Sequence, residues 1–162
     1  MRSQRLIPAL VLAAGLAIPA AVATASPAGA KAAATTCRVE VDYVDLYDVD
    51  EKDGTDEVKI DLAGYYYPSG SKYVAMSNGD RAYSGNFANP TTTIGTSGWA
   101  NFSLREVDPP IVGSGYNLGS INAYGSTCAT LSTGQIAYVY KTITGTQKTY
   151  YSYYIRLVMT GL

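Results

Sequence analysis

Carboxylates are the groups in this chain that are numerous and close enough together to do chemistry. In "DVDEKDGTDEVKI" (48–60), Asp48, Asp50, Glu51, Asp53, Asp56 and Glu57 fall within ten consecutive positions. Ten of the 13 acids lie between Glu40 and Asp61, whereas residues 62–162 hold six basic residues and three acids. Like charges at this density repel unless a cation sits among them. The chain has no histidine, which removes Ser-His-Asp and Cys-His nucleophile activation and every metal site that needs imidazole. No phosphate-cradling glycine loop stands between a strand and a helix. No Lys/Arg cluster of the kind that binds nucleic acid or anionic lipid occurs. A hard, oxygen-seeking cation suits what is left, and calcium takes six to eight oxygens from such loops.

The acidic loop is not an EF-hand. Asp48-x-Asp50-x-x-Asp53-Gly54 places the glycine one residue late, and no glutamate closes a twelve-residue loop. Asp42 and Asp61 alternate outward along strand patterns and read as surface charges.

The segments around the acids are strands. "RVEVDYV" alternates Val39, Val41 and Tyr43 against Glu40 and Asp42, then slips phase to Val44 and Leu46, as at a bulge. "EVKIDLAGYYY", "SKYVAM" before the turn "SNGD", "GWANFSLREVD" and "GSINAY" follow. "GQIAYVYKTI" and "TYYSYYIRLVMTG" form the arms of a closing hairpin around "TGTQK" (Thr144–Lys148). Turn residues recur about every ten positions and no helical period stands out. The expected fold is a single antiparallel β-sandwich of seven or eight strands spanning 37–162.

The first 30 residues read as a cleaved signal peptide: Arg2 and Arg5, an apolar stretch, and small-residue sites that put cleavage after Ala25 or Ala30. Residues 31–36 are expected as a disordered stub. The mature product is expected to be secreted, with no membrane anchor. Export makes Cys37 and Cys128, the two cysteines of the chain, candidates for one disulfide.

Two stretches together resemble C2 domains, the calcium- and lipid-binding sandwiches. "VEVDYVDLYDV", the acidic loop and "DGTDEVKIDL" are similar to the opening of that family, with Asp56 at its loop aspartate. "FSLREVDPPIVGSGYNLG" (102–119) is similar to its second motif, with Glu106 and Asp108 at the Asp-x-Asp positions. The resemblance implies calcium ligands at Asp50, Asp53, Asp56, Glu106 and Asp108, with Asp48 a further ligand or neighbour. Three features depart from the pattern. Glutamate replaces the first aspartate of the pair, Ser114–Tyr116 supply no further acid, and Ser-Asp-Pro-Tyr is not intact. Fewer acids imply weak binding, about 10⁻⁴–10⁻³ M.

Fifteen tyrosines against two phenylalanines and one tryptophan form the other compositional feature. In "YYY" (65–67) and "YYSYY" (150–154) alternation must expose some rings. Tyr65, Tyr67, Tyr151 and Tyr153 are candidates for stacking on sugars or anchoring a partner, against cross-strand pairing as the plainer role. Trp99, after a "TSG" turn, reads as core or rim packing.

The function expected is therefore a non-enzymatic secreted module with a calcium site, its partner a glycan, lipid or protein. A carbohydrate-binding module built on surface tyrosines is one alternative, and a small carboxylate-based hydrolase or toxin is another.

Overall fold

The computed structural model describes residues 32–162, apart from the side chains of 111 and 112. The expected signal peptide and both of its expected cleavage sites lie outside those residues. Ten strands run through the domain: Thr36–Asp48 (β1), Thr55–Leu62 (β2), Tyr65–Tyr67 (β3), Val74–Ser77 (β4), Arg81–Tyr83 (β5), Thr91–Gly95 (β6), Trp99–Asp108 (β7), Ile111–Tyr124 (β8), Ile136–Thr146 (β9) and Tyr150–Gly161 (β10). They form two antiparallel sheets of five strands each. One has the order β5-β1-β10-β9, with β6 sharing the outer edge of β1 with β5. The other has the order β3-β2-β7-β8, with β4 sharing the outer edge of β2 with β3.

The all-β sandwich is as expected; the strand count is higher. The extra strands are short edge pieces of three to five residues, β3, β5 and β6. Segments of that length carry too few residues to show a period. The phase slip at Tyr43 is a true bulge: the β1–β10 register shifts between Val41 and Tyr43. It brings Tyr43, Val44 and the preceding Val41 all out of water. Inward-facing residues of both sheets interdigitate, among them Val39, Leu46, Ile155, Leu157 and Met159 against Ile60, Phe102, Leu104 and Ile121. Each fully buried aliphatic or aromatic side chain contributes about 1.5–3 kcal/mol of transfer free energy.

Two expectations need correction. Residues 32–36 are not a loose stub. Ala34 is buried and its N–H donates to Leu131 O at 2.8 Å, while Ala33 bridges Ser132. The backbone is held because β1 already begins at Thr36, beside β6. The strand read at "GSINAY", in turn, starts much earlier than that stretch. Asp108 pairs with Ile111 across Pro109-Pro110, and β8 runs on for 14 residues.

Cys37 on β1 and Cys128 on a one-turn helix, Gly125–Cys128, form a disulfide with Cα atoms 5.7 Å apart. It is fully buried in the core and ties the first strand to a segment 91 residues away. Among the described residues no helix is long and apolar enough to cross a membrane.

Candidate functional site: an acidic pole with a built-in cation

The end of β1, the start of β2, the end of β7 and the β9–β10 turn meet at one pole of the sandwich. Antiparallel pairing requires this: Asp48 pairs with Ser152 near the start of β10, and Val58 pairs with Glu106 near the end of β7. Carboxylates from two remote segments therefore converge, as the resemblance to C2 domains implied, but they do two different jobs.

Asp50 and Asp56 are fully buried and face backbone. Asp50 Oδ1 accepts N–H bonds from Gln147 (3.2 Å), Lys148 (3.0 Å) and Thr149 (3.1 Å), the turn between β9 and β10. Asp56 accepts from the Asp50 N–H at 3.0 Å and the Glu51 N–H at 3.1 Å, and from the Tyr153 hydroxyl. These are charge-assisted bonds that fold the acidic loop over the turn. They occupy the oxygens a metal would need. Asp50 and Asp56 are thus structural anchors, which corrects their assignment as ion ligands. Asp53 is exposed and accepts from the Thr55 N–H at 3.1 Å, and Asp48 is exposed at the end of β1; neither belongs to the cluster.

Glu106 and Asp108 do come together, with Glu51 as the third member. One carboxylate oxygen from each lies within 4.8 Å of the others. At their centre sits the ammonium of Lys148. It donates to Asp108 Oδ1 at 2.5 Å, to Glu106 Oε1 at 3.2 Å and to Glu51. Partial burial opposes its charge, but the bonds to Asp108, Glu51 and Glu106 outweigh that and hold Lys148 well above the usual lysine range. Asp108 is held below the ordinary range by its bonds to Lys148 and Glu51.

Glu106 behaves in the opposite way. It is fully buried, and desolvation, with a bond to Glu51 added, pushes it up to about 8 despite Lys148. Its second oxygen, Oε2, has no hydrogen-bond partner among the described residues. The burial has a local cause. Gly115, at φ +63, lets β8 close on the Glu106 backbone, where a Cβ would stand 1.9 Å from the carbonyl oxygen; only glycine fits there.

Glu51 and Lys148 are the members sequence reasoning missed. Glu51 lay in view inside the acidic run, but the C2 resemblance points past it to the aspartates. Lys148 was visible as the cation of the "TGTQK" turn, and nothing in its neighbours tells which carboxylates it meets.

The tyrosine assignments also need correction. Tyr151 and Tyr153 are buried, because the odd positions of β10 face the core. Their hydroxyls donate to Leu118 O (2.8 Å) and to Asp56. Tyr65 is 72% exposed and Tyr67 half-buried against the core. Trp99 is not packed away; it is 64% exposed.

Fold and pole together define a two-sheet antiparallel sandwich with carboxylates from remote segments gathered at one end, the class the C2 resemblance implied. No protein-family model and no curated protein matches the chain. Among solved structures the chain is similar to a C2 domain of a plant extended synaptotagmin 1. The identity is 13% and the TM-score 0.40, over 82% of this chain and 98% of that one. At that identity and TM-score the likeness assigns no residue a role, and the reading of the pole rests on its own geometry.

Proposed function

We propose that the protein is a non-enzymatic, exported binding module whose acidic pole takes calcium through Glu51, Glu106 and Asp108 in exchange for the Lys148 ammonium. One observation carries the reading: three carboxylates converge within 4.8 Å, and the fully buried one keeps an oxygen without a partner. Three carboxylates against one lysine leave the pole negative. Buried Glu106 either holds a proton or needs more positive charge than Lys148 supplies. Asp108, half-exposed, leaves a way in for an ion that keeps several waters. The buried disulfide agrees with an oxidising compartment. With three protein carboxylates the affinity belongs in the range of extracellular modules.

Loading releases the Lys148 side chain from its cage while Asp50 keeps its hold on the turn's backbone, so calcium would change the charge of one end of the molecule. The competing reading, supported by the same short contacts, keeps Lys148 as a permanent counter-ion and the pole as a purely structural clasp.

Thermal melts of the mature protein separate the two. At 10 mM calcium and a Kd near 1 mM, ligand linkage adds about 1.4 kcal/mol, a shift of several degrees. The Glu51→Gln, Asp108→Asn double variant should lose the shift, and magnesium should give less of it. A wild-type melt unchanged by 10 mM calcium leaves the clasp alone standing.

A further inference from the structure

Two sheet faces expose aromatic rings, and they differ in what the rings touch. On the outer face of the β1–β10 sheet, Tyr43 stacks on Tyr154 and Tyr154 on Tyr140, each at 6.0 Å between centroids. Tyr83 meets Tyr43 edge-on. The guanidinium of Arg81 lies 3.8 Å from the Tyr43 centroid and that of Arg156 lies 4.4 Å from it. Both arginines are also paired, to Asp45 and Asp42. These ring faces are already occupied by one another and by cations. They are cross-strand packing, with little left for a ligand.

The β7–β8 face is the reverse. Trp99 and Tyr124 stand directly opposite each other across the two strands, 64% and 54% exposed. Among the described residues neither ring has an aromatic or guanidinium partner. The next pair on the same face is Asn101 with Asn122. A directed chain of hydrogen bonds fixes the row. Ser103 Oγ donates to Asn101 Oδ1 (2.8 Å), Asn101 Nδ2 to Asn122 Oδ1 (2.7 Å), and Asn122 Nδ2 to the Tyr124 hydroxyl (3.2 Å). Each amide nitrogen has two protons, so each keeps one uncommitted, and the Tyr124 hydroxyl keeps its own.

Hollows flank the row on both sides. One of about 380 Å³ is lined by Asp61, Thr92, Trp99 and Asn101; one of about 280 Å³ is lined by Asn122, Tyr124, Tyr140 and Lys141. The charges beside them are committed. Asp61 lies 3.8 Å from Arg105, and Lys141 donates to Ser120 O at 2.8 Å.

We propose that this face binds a neutral oligosaccharide. The sugar's C–H faces would rest on Trp99 and Tyr124, and its hydroxyls would accept from Asn101 and Asn122. The chemistry matches on each count: free flat rings for apolar faces, spare donors fixed on strands for hydroxyl oxygens, and no unpaired charge to favour an ion. An occupant reaching both hollows crosses β7 and β8, roughly 10 Å at the usual strand spacing, which suits a short oligomer better than a monosaccharide. Trp99 lies seven residues of extended strand from Glu106, roughly 23 Å, so the face is independent of the acidic pole.

Trp99 is the sole tryptophan, so its emission reports occupancy directly. The experiment titrates the mature protein with neutral hexasaccharides of the gluco-, xylo-, manno- and N-acetylglucosamine series, with either chelator or calcium present. At least one series should shift the emission with a sub-millimolar Kd, unchanged within twofold by chelator. Trp99→Ala, followed by calorimetry, and Asn101→Ala should each weaken that binding at least tenfold. Tyr83→Ser, on the opposite sheet, should leave it alone. All three positions are at least partly exposed, and circular dichroism verifies that the variants fold. No response to any series at 5 mM overturns the proposal, as does binding that survives Trp99→Ala or disappears with chelator.

Discussion

Replacing Lys148 by methionine removes the central cation while keeping most of the side chain's length. Three carboxylates then face one another with nothing between them. Breaking a buried ion pair costs about 3–5 kcal/mol, but that figure applies in full only when both partners are buried. Here Lys148 is 37% exposed and Asp108 49%, and exposed pairs contribute about 0–1 kcal/mol. Glu106 alone is fully buried, and it relieves its charge by keeping a proton, since it already titrates near 8. The expected loss in chelator at neutral pH is therefore about 1–2 kcal/mol. For a domain of this size that lowers Tm by roughly 3–8 °C. Calcium should then act more strongly on the variant than on wild type, because its competitor is gone. A tenfold gain in affinity, to about 0.1 mM, raises the stabilisation at 10 mM calcium from about 1.4 to about 2.7 kcal/mol. Paired calorimetric scans in chelator and in calcium read both effects. If Lys148→Met melts with wild type in chelator and gains no more from calcium, Lys148 is not the counter-ion of this cluster and the reasoning about the pole is wrong.

Asp56→Asn should cost about 2–4 kcal/mol by denaturant unfolding, since bonds to a buried carboxylate contribute about 1.5–3 kcal/mol each and Asp56 holds two backbone N–H groups and Tyr153. Asp108→Asn should change stability by less than about 1 kcal/mol in chelator, and equal losses in the two variants would contradict the division into anchors and ligands. The raised Glu106 carboxyl means that the native state binds more protons than the unfolded chain between the ordinary carboxylate range and about pH 8. Stability in chelator should accordingly fall as pH rises from about 5 to 8, and calcium affinity should rise over the same interval. Glu106→Gln should flatten both trends, and a slope unaltered in that variant would assign the titration elsewhere. Opening the Cys37–Cys128 bond, which spans 91 residues, should cost about 4.5 kcal/mol in the chain-entropy treatment, measured by unfolding with and without reductant.

Much of the fold was legible because strand alternation is a local property. The hairpin of β9 and β10 stands where "GQIAYVYKTI" and "TYYSYYIRLVMTG" put it, and the turn at Ser77–Asp80 is closed by Asp80 onto Ser77 N–H at 2.8 Å. The slip after Val41 was visible for the same reason. Residues 32–36 of the expected stub and the length of β8 were misjudged because what orders them is non-local: β6 and Leu131 for the first, the tight turn at Pro109-Pro110 for the second.

Composition and spacing by themselves determined an all-strand sandwich, because strand period is displayed by any window of the chain. The two cysteines were candidates for one bond, and the convergence of carboxylates from two remote segments came with the resemblance to C2 domains. Only the tertiary structure decided what each carboxylate does. Asp50 and Asp56 look like ligands in one dimension and are backbone anchors in three, while Glu51 joins Glu106 and Asp108 around a lysine 40 residues beyond Asp108. Tyr151 and Tyr153 went inward and Trp99 outward for the same reason. A side chain's partner is set by the register of strands distant in sequence, and a one-residue change in that register exchanges the two faces.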